Sequence, residues 1–305
     1  MIAAHWFRLV LLAELVLLPT VPVVAQCVGQ GEIHTAQLRG GLSVLQGYGS
    51  NITVSTGPDG TLLVDDEYTE LVRNVRASLA ALHAPAVKMV INTHWHCDHT
   101  GGNESFGQEG ALIIAHENTA HRMQTDQVMS LYGPQAAYPP TAWPKVLVRS
   151  SLRLRWNGED VDLIALDPAH TDGDLAVFFR GQDVLATGDV FVVGEYLPPY
   201  FDDLNGGSLE GMIAAAGKLL GLADEQTIVV PGHGEVGNRN SLLAYHDKLI
   251  AIRSRIRDAI GKGLTEDEVV ALHPIESFAG RGRGVDRWVR VVYREYHHKA
   301  PQAAR

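Results

Sequence analysis

The sequence predicts an α/β fold in which sheet and helix layers stack as a sandwich. Three observations lead there. Strand-like runs fall into two groups, near residues 33–65 and 151–193, and helix-patterned segments follow each group. That order of strands, helices, strands and helices suits layered packing better than a doubly wound parallel sheet. Neither standard glycine-rich phosphate loop occurs. Residues able to ligate a metal stand at the ends of several strand-like runs.

The elements follow in chain order. Residues 33–38, 42–48, 51–56 and 61–65 are rich in β-formers and are separated by turn residues, among them Gly57-Pro58-Asp59-Gly60. Proline presets φ in such a turn and glycine accepts positive φ. Leu71, Val72, Val75, Leu79 and Leu82 recur at helical spacing and predict a helix over 69–83 that ends before Pro85. Residues 87–92 form a strand leading into a His-rich loop, 111–115 a strand, and 116–124 a helix. The Pro-, Tyr- and Gly-rich stretch 126–144 reads as a long loop. Strands are expected at 151–156, 161–166, 175–179, 184–186, 190–193 and 227–230. Helices are expected at 209–222, 241–260 and 286–297. Thr265 and Glu268 form a capping box that opens a further helix.

Composition narrows the function. The chain has 305 residues, 46% hydrophobic and 20% charged, and a net charge of −10. It holds no basic run, which argues against a nucleic-acid groove, since phosphate binding rests on clustered Lys and Arg. Residues 1–25 read as a signal peptide: Arg8 precedes an apolar stretch over 9–18, and Val23-Val24-Ala25 offers small residues for cleavage after Ala25. The expected location is secreted or periplasmic, with no stable membrane insertion after cleavage. Gln26 is a poor neighbour for lipid attachment at Cys27. Two cysteines, Cys27 and Cys97, are too few for a disulfide framework, and no pairing between them is expected.

The chemistry is concentrated in Thr93-His94-Trp95-His96-Cys97-Asp98-His99-Thr100-Gly101-Gly102. In an extended segment alternate residues share a side, so His94, His96 and Asp98 are expected to face one way, with His99 just beyond. His170, Asp189 and His233 follow, each at the end of a strand-like run. These seven nitrogen and oxygen ligands suffice for two divalent ions with positions left for water. Such a donor set suits zinc, and also manganese or iron. A metal pair of this kind lowers the pKa of bound water to about 7 and clamps nucleophile and leaving oxygen, which points to hydrolysis.

The His-x-His-x-Asp-His motif and the spacing of the later ligands resemble the metallo-β-lactamase fold superfamily over roughly residues 33–251. The resemblance implies an αββα sandwich with the metals at one edge of the two sheets. It implies that His94, His96 and His170 hold one metal, that Asp98, His99 and His233 hold the other, and that Asp189 bridges them. It implies attack by a shared hydroxide on a carbonyl or phosphoryl centre, with Asp98 orienting it as the catalytic carboxylate. Asp65 stands where the family often has an acidic residue beneath the metal loop. The hydrolase domain is expected over 26–272, with a helical extension at 273–305 packed on it.

Three substrate readings arise. The run from Val229 to Asn238 looks like the matching stretch of class B β-lactamases, and export places the enzyme where those antibiotics act, so a β-lactam amide is the leading candidate. Against it, Asp189 stands where one large class has Cys, and no Lys or Arg occurs from Asp189 to Gly217 to bind a substrate carboxylate. The second reading is a lactonase, an esterase or a glyoxalase II-like thioesterase. The third is a non-catalytic metal-binding scaffold. The loop 194–207, with Tyr196, Tyr200 and Asn205, is the candidate substrate wall, and the segment 132–143 a second one.

Overall fold

A computed structural model describes residues 29–130, 132–194, 198–279 and 283–299. The expected signal peptide, Cys27 and Tyr196 lie outside the described residues. The first half opens with strands β1 (His34–Gln37), β2 (Leu42–Gln46), β3 (Asn51–Gly57) and β4 (Gly60–Val64). Helix α1 (Val72–Ala81), strand β5 (Val87–Ile91), helices α2 (Cys97–Thr100) and α3 (Asn103–Gln108), strand β6 (Leu112–His116) and helix α4 (Glu117–Met123) follow. Then come a small hairpin of β7 (Gln127–Met129) and β8 (Gly133–Gln135), and strand β9 (Val146–Val148). The second half contains β10 (Ser151–Trp156), β11 (Glu159–Ala165), β12 (Leu175–Phe179), β13 (Val184–Ala186), α5 (Leu209–Leu220), β14 (Ile228–Val230) and β15 (Gly237–Asn238). It closes with α6 (Arg239–Gly261), α7 (Glu266–Ala271), α8 (Glu276–Ala279) and α9 (Arg283–Lys299).

Each half contributes one sheet. The first is seven-stranded in the order β1-β2-β3-β4-β5-β6-β9, antiparallel up to β4 and parallel from β4 to β9. The second is six-stranded in the order β10 to β15, antiparallel except for the β13–β14 pair. The central strands β4, β12 and β13 are buried along their whole length. That is expected of strands covered on both faces.

Three apolar layers result, and they define the αββα sandwich. Between the sheets, Leu42, Leu62, Val64 and Ile91 meet Val161, Leu163, Val177 and Phe179. On the outer face of the first sheet, Ile52, Leu63 and Val90 pack under Val75 and Leu79 of α1 and Phe106 of α3. On the outer face of the second, Phe178, Leu185 and Val229 pack under Met212 of α5, Leu249 and Ile252 of α6 and Val292 of α9.

Local chemistry explains the helix ends. Ser208 caps α5 by accepting from the Gly211 N–H, Asn238 and Ser241 make a capping box for α6, and Thr265 and Glu268 make the expected one for α7. In three places the chain departs from its sequence pattern. The stretch 126–144 is not a plain loop but carries the β7–β8 hairpin and a 3-10 turn at Pro140–Ala142. Val146–Val148 is a strand that periodicity did not reveal. Residues 190–193 are not a strand: Gly188–Val190 is a 3-10 turn and only Val192 bridges to His233. The turn starts at Gly188, whose φ of 53° belongs to the left-handed region, and a Cβ there would strike Thr93.

The C-terminal helix shares the core of the second sheet. Trp288, Val289, Val292, Tyr293 and Tyr296 are buried in it. The Trp288 indole also donates to the Pro199 carbonyl at 2.9 Å and packs on Phe201. Removing this side chain therefore costs both core packing and a loop anchor. Trp288→Ala is expected to lower the unfolding free energy by about 3–5 kcal/mol, measured by urea denaturation. A loss below about 1 kcal/mol would show that the helix is dispensable to the fold.

Candidate metal centre

The ligand-type residues converge at one edge of the sandwich, beyond the carboxyl ends of β5, β11, β13 and β14. Crevices outside the carboxyl ends of strands are where open α/β sheets bind ligands. Strand β5 ends at Ile91, the chain bends over residues 93–95, His96 itself is extended (φ −63°, ψ 150°), and α2 begins at the next residue. The expected alternation of an extended segment therefore does not run through the motif. His94 and His96 group with His170, while Asp98 and His99, turned by the helical step, group with His233. A further group joins His94, His99 and Asp189. Within each group the ligand atoms lie within 4.8 Å of one another, and all seven residues are buried.

Asp189 sits between the groups. Its Oδ1 is 3.3 Å from His99 Nε2, and its Oδ2 is 3.2 Å from His233 Nε2 and 3.5 Å from His170 Nε2. The Asp189 loop lies against Gly232, where any Cβ would overlap the Asp189 carboxylate and the Gly188 backbone. Asp98 Oδ2 lies 3.3 Å from His233 Nε2 and 3.5 Å from His99 Nε2.

The outward ring nitrogens are held by hydrogen bonds that decide which nitrogen faces inward. Asp65, the expected acidic residue beneath the loop, accepts from His99 Nδ1 at 2.8 Å, from the Thr93 N–H at 2.7 Å and from the Thr93 hydroxyl at 2.8 Å. Because that hydroxyl gives its proton to Asp65, it accepts from His94 Nδ1 at 3.1 Å. His170 Nδ1 donates to the Tyr200 carbonyl at 2.8 Å, and His96 Nε2 donates to Asp202 at 3.1 Å. Three histidines thus turn an unprotonated nitrogen to the centre, Nε2 of His94 and His170 and Nδ1 of His96, and His99 turns Nε2 there, toward Asp189 and Asp98.

Two observations test whether a cation fits. His94 Nε2 is buried with no hydrogen-bond partner. Inward nitrogens also face each other closely, His170 Nε2 with His96 Nδ1 at 3.0 Å and His99 Nε2 with His233 Nε2 at 3.4 Å. Two ligands at tetrahedral positions on zinc, each about 2.05 Å away, stand roughly 3.3 Å apart. The donor set fits a metal centre.

Electrostatics agree. Burial and the neighbouring imidazoles hold His94 well below its ordinary value, and burial brings His170 down to about 4. Burial pushes Asp98 upward, but His99 and His233 outweigh it and bring the carboxyl to about 2. For His233, burial opposes the charge, but Asp189 and Asp98 outweigh it and raise the ring to about 10. The carboxylates of Asp189, Asp98 and Asp65 likewise overcome burial and hold His99 well above the usual range. The site is built to be filled by positive charge.

Sequence reasoning missed several supporting carboxylates. Asp202 is fully buried and accepts from His96, from Asn205 Nδ2 at 2.7 Å and from the Ser130 N–H at 3.2 Å. Asp174 accepts from the backbone N–H groups of His170 and Thr171 and from the Thr171 hydroxyl. Asp66 accepts from the Gly102 N–H, and Glu67 from those of Gly49 and Tyr68. The acidic run Asp65-Asp66-Glu67 and the pair Asp202-Asp203 were visible signals, but nothing local told a buried acceptor from a turn residue.

Of the candidate substrate wall, Gly194 borders the cavity beside Asp98, Tyr196 lies outside the described residues, and Asn205 and Tyr200 sit behind the metal-ligand histidines. Asn205 is buried, held by Arg122 and bonded to Asp202 and the Val128 carbonyl. Tyr200 stacks on His96 at 5.8 Å, and its hydroxyl bonds Ser130 at 3.0 Å. Neither borders the cavity beside Asp98. Tyr132, from the second candidate wall, does border it. Cys97 is disulfide-bonded, and the expectation for its pairing with Cys27 lies outside the described residues. The other cysteine of the sequence is Cys27. Spacing along the chain could not reveal this, because a disulfide requires only spatial approach.

With this geometry in place, comparison with known proteins is direct. Residues 45–233 match the metallo-beta-lactamase superfamily model, and the chain belongs to that family. A 2,4-dinitroanisole O-demethylase subunit alpha from Nocardioides sp. is 28% identical over 181 residues, 58% of this chain and 50% of that protein. The chain thus spans about half the length of that relative. Metallo-beta-lactamase type 2 of Bacillus cereus is 25% identical over 207 residues, 66% of this chain and 73% of that one. Among solved structures, a metallo-beta-lactamase from Pontibacter korlensis superposes with a TM-score of 0.58 at 19% identity, covering 71% of this chain and 99% of its own. Members of this family are metal-dependent hydrolases, and the His/Asp groups here are their metal-binding counterpart.

Two outcomes follow from the ring contacts and charges. Asp202→Asn removes the negative charge and one of the two accepting oxygens that support His96, Asn205 and Ser130, and is expected to weaken metal affinity about 10–100-fold, read by competition with a chelator. An unchanged affinity would mean that His96 needs no such support. In metal-free protein His233, raised to about 10, carries a proton at neutral pH that a metal must displace. Metal affinity should therefore rise with pH between 6 and 9, with protons released on binding. Calorimetry in buffers of different ionisation enthalpy measures that release, and its absence would contradict the assigned charge state.

Proposed function

We propose that this chain is an exported hydrolase that holds two zinc ions and cleaves small carbonyl compounds with an activated water. The reading rests on the seven buried ligands, their nitrogens turned inward, beside an open cavity bordered by Asp98 and His233. A zinc pair bound there would supply acidified water at neutral pH and an electrophile for the carbonyl oxygen. His94, His96 and His170 would hold one ion, Asp98, His99 and His233 the other, and Asp189 would lie between them. Asp98, kept ionised and reaching the cavity, would accept a hydrogen bond from the attacking water and fix its direction. Export is supported by the N-terminal apolar stretch and by the disulfide at Cys97, a bond that persists in oxidising compartments. Among the described residues no helix is long and apolar enough to cross a membrane.

Fold alone does not choose the substrate; the relatives named above act, by name, on a dinitroaryl ether and on β-lactams. One observation orders the two carbonyl readings. Among the described residues no Lys or Arg lines the cavity, whereas a β-lactam carboxylate is best met by a charged donor. Esters and lactones therefore move ahead of the β-lactam amide.

Elemental analysis should find two zinc ions per chain, and a panel of β-lactams, lactones, aryl esters and thioesters should reveal turnover. Asp98→Asn should then lower kcat by at least roughly 10², with the fold and the first metal retained. Metal-loaded protein inert toward the whole panel would favour the non-catalytic scaffold. A variant with two metals and near-native turnover would remove Asp98 from the orienting role.

A further inference from the structure

The cavity beside Asp98 has a volume of about 640 Å³. Its mouth is assembled from four separate parts of the chain. Tyr48 comes from the turn between β2 and β3, Tyr68 from the segment after the acidic run, Tyr132 from the tip of the β7–β8 hairpin, and Glu235 from the turn between β14 and β15. Tyr48 is 64% and Tyr132 42% exposed, and Glu235 is also exposed. The face of each ring carries negative potential. Glu235 adds a carboxylate, and Asp98 lies at the floor. The site is thus polarised from end to end: the inner end is built for cations at the scissile group, and the outer end is negative.

Glu67 keeps this mouth in shape. It is buried with a φ of 67°, and it accepts from the N–H groups of Gly49 and Tyr68, tying the turn that carries Tyr48 to the segment that carries Tyr68. Glu67 thereby fixes the Tyr48 turn against the buried Tyr68 on one side of the mouth.

We propose that the tyrosine and Glu235 mouth binds the departing half of the substrate as an uncharged or positively charged group, preferring the cation, and disfavours a carboxylate there. This deepens the carbonyl-hydrolase reading and rests on it for the scissile end alone. A quaternary ammonium group within about 6 Å of a tyrosine face is attracted by the ring and leaves no hydrogen bond unmade. A carboxylate in the same place would meet Glu235 and the electron-rich tyrosine rings, and among the described residues no Lys or Arg lines the cavity to pair with it.

The test uses zinc-loaded full-length protein and three aryl acetates that share one scissile bond. They are 4-(trimethylammoniomethyl)phenyl acetate, its neopentyl isostere and 4-(carboxymethyl)phenyl acetate. In each, water adds to the acyl carbon, the bond to the phenolic oxygen breaks, and acetate and a phenol leave. The expected order of kcat/KM is cation, then neutral, then carboxylate, with roughly tenfold between the extremes. Glu235→Lys should shrink or invert that ratio, and the ratio is read within each variant. Equal rates for all three esters, or a ratio unmoved by Glu235→Lys, would overturn the proposal. Binding of benzyltrimethylammonium, measured by calorimetry on the same protein, is independent of turnover. It should be detectable and be weakened severalfold by Glu235→Lys and by Tyr48→Ala. If no ester is cleaved but the cation binds in this way, the carbonyl-hydrolase reading fails and the mouth assignment stands. If esters are cleaved and the cation does not bind, the reverse holds.

Discussion

The metal centre depends on which nitrogen of each histidine is protonated. A neutral imidazole offers one lone pair, and the partner of the other nitrogen decides where it points. Here the outer partners come from different parts of the chain. Asp65 ends β4 and serves His99 directly and His94 through the Thr93 hydroxyl. Tyr200 and Asp202, in the loop after the Gly188–Val190 turn, serve His170 and His96. The centre therefore forms only when β4, β5 and that loop are all in place.

The loop at 198–207 serves the site by holding its histidines from behind. Its Tyr200 carbonyl and Asp202 carboxylate collar two of the three histidines of one ligand group. Asn205 relays this collar outward through Arg122, which also pairs with Asp172. The C-terminal helix braces the same loop through Trp288, which meets Pro199 and Phe201. Packing energy from the outer layer of the second sheet is thereby coupled to ligand orientation at the sandwich edge. A helix that looks peripheral in sequence sits within the support of the centre.

Polarity runs through the site in one direction. The floor concentrates carboxylates around imidazoles in a buried setting, where charges interact strongly because water screens them little. The mouth carries ring faces and Glu235, with solvent close by. Specificity at such a mouth is a difference of affinities among substrates that share the same scissile chemistry. The family fold supplies the reaction class, and the mouth, assembled from turns and a small hairpin, supplies what differs between members.

The sequence by itself determined the sandwich class, most strands and helices, the capping box at Thr265 and Glu268, and the seven residues that meet at the centre. These were legible because they rest on local signals: alternating or helical periodicity, turn residues, and a dense His/Asp motif in which each ligand ends a strand-like run. Tertiary structure alone decided the rest. It split the motif, sending Asp98 to His233, because the chain leaves the strand at Ile91, bends over 93–95 and turns into α2 at Cys97. It turned residues 190–193 away from a strand, since Gly188 takes a left-handed φ to bring Asp189 against Gly232. It placed Asn205 in a buried network, brought Tyr48, Tyr68, Tyr132 and Glu235 to one mouth, and engaged Cys97 in a disulfide. Each of these depends on contacts between residues far apart in the chain, and short-range patterning carries no record of such contacts.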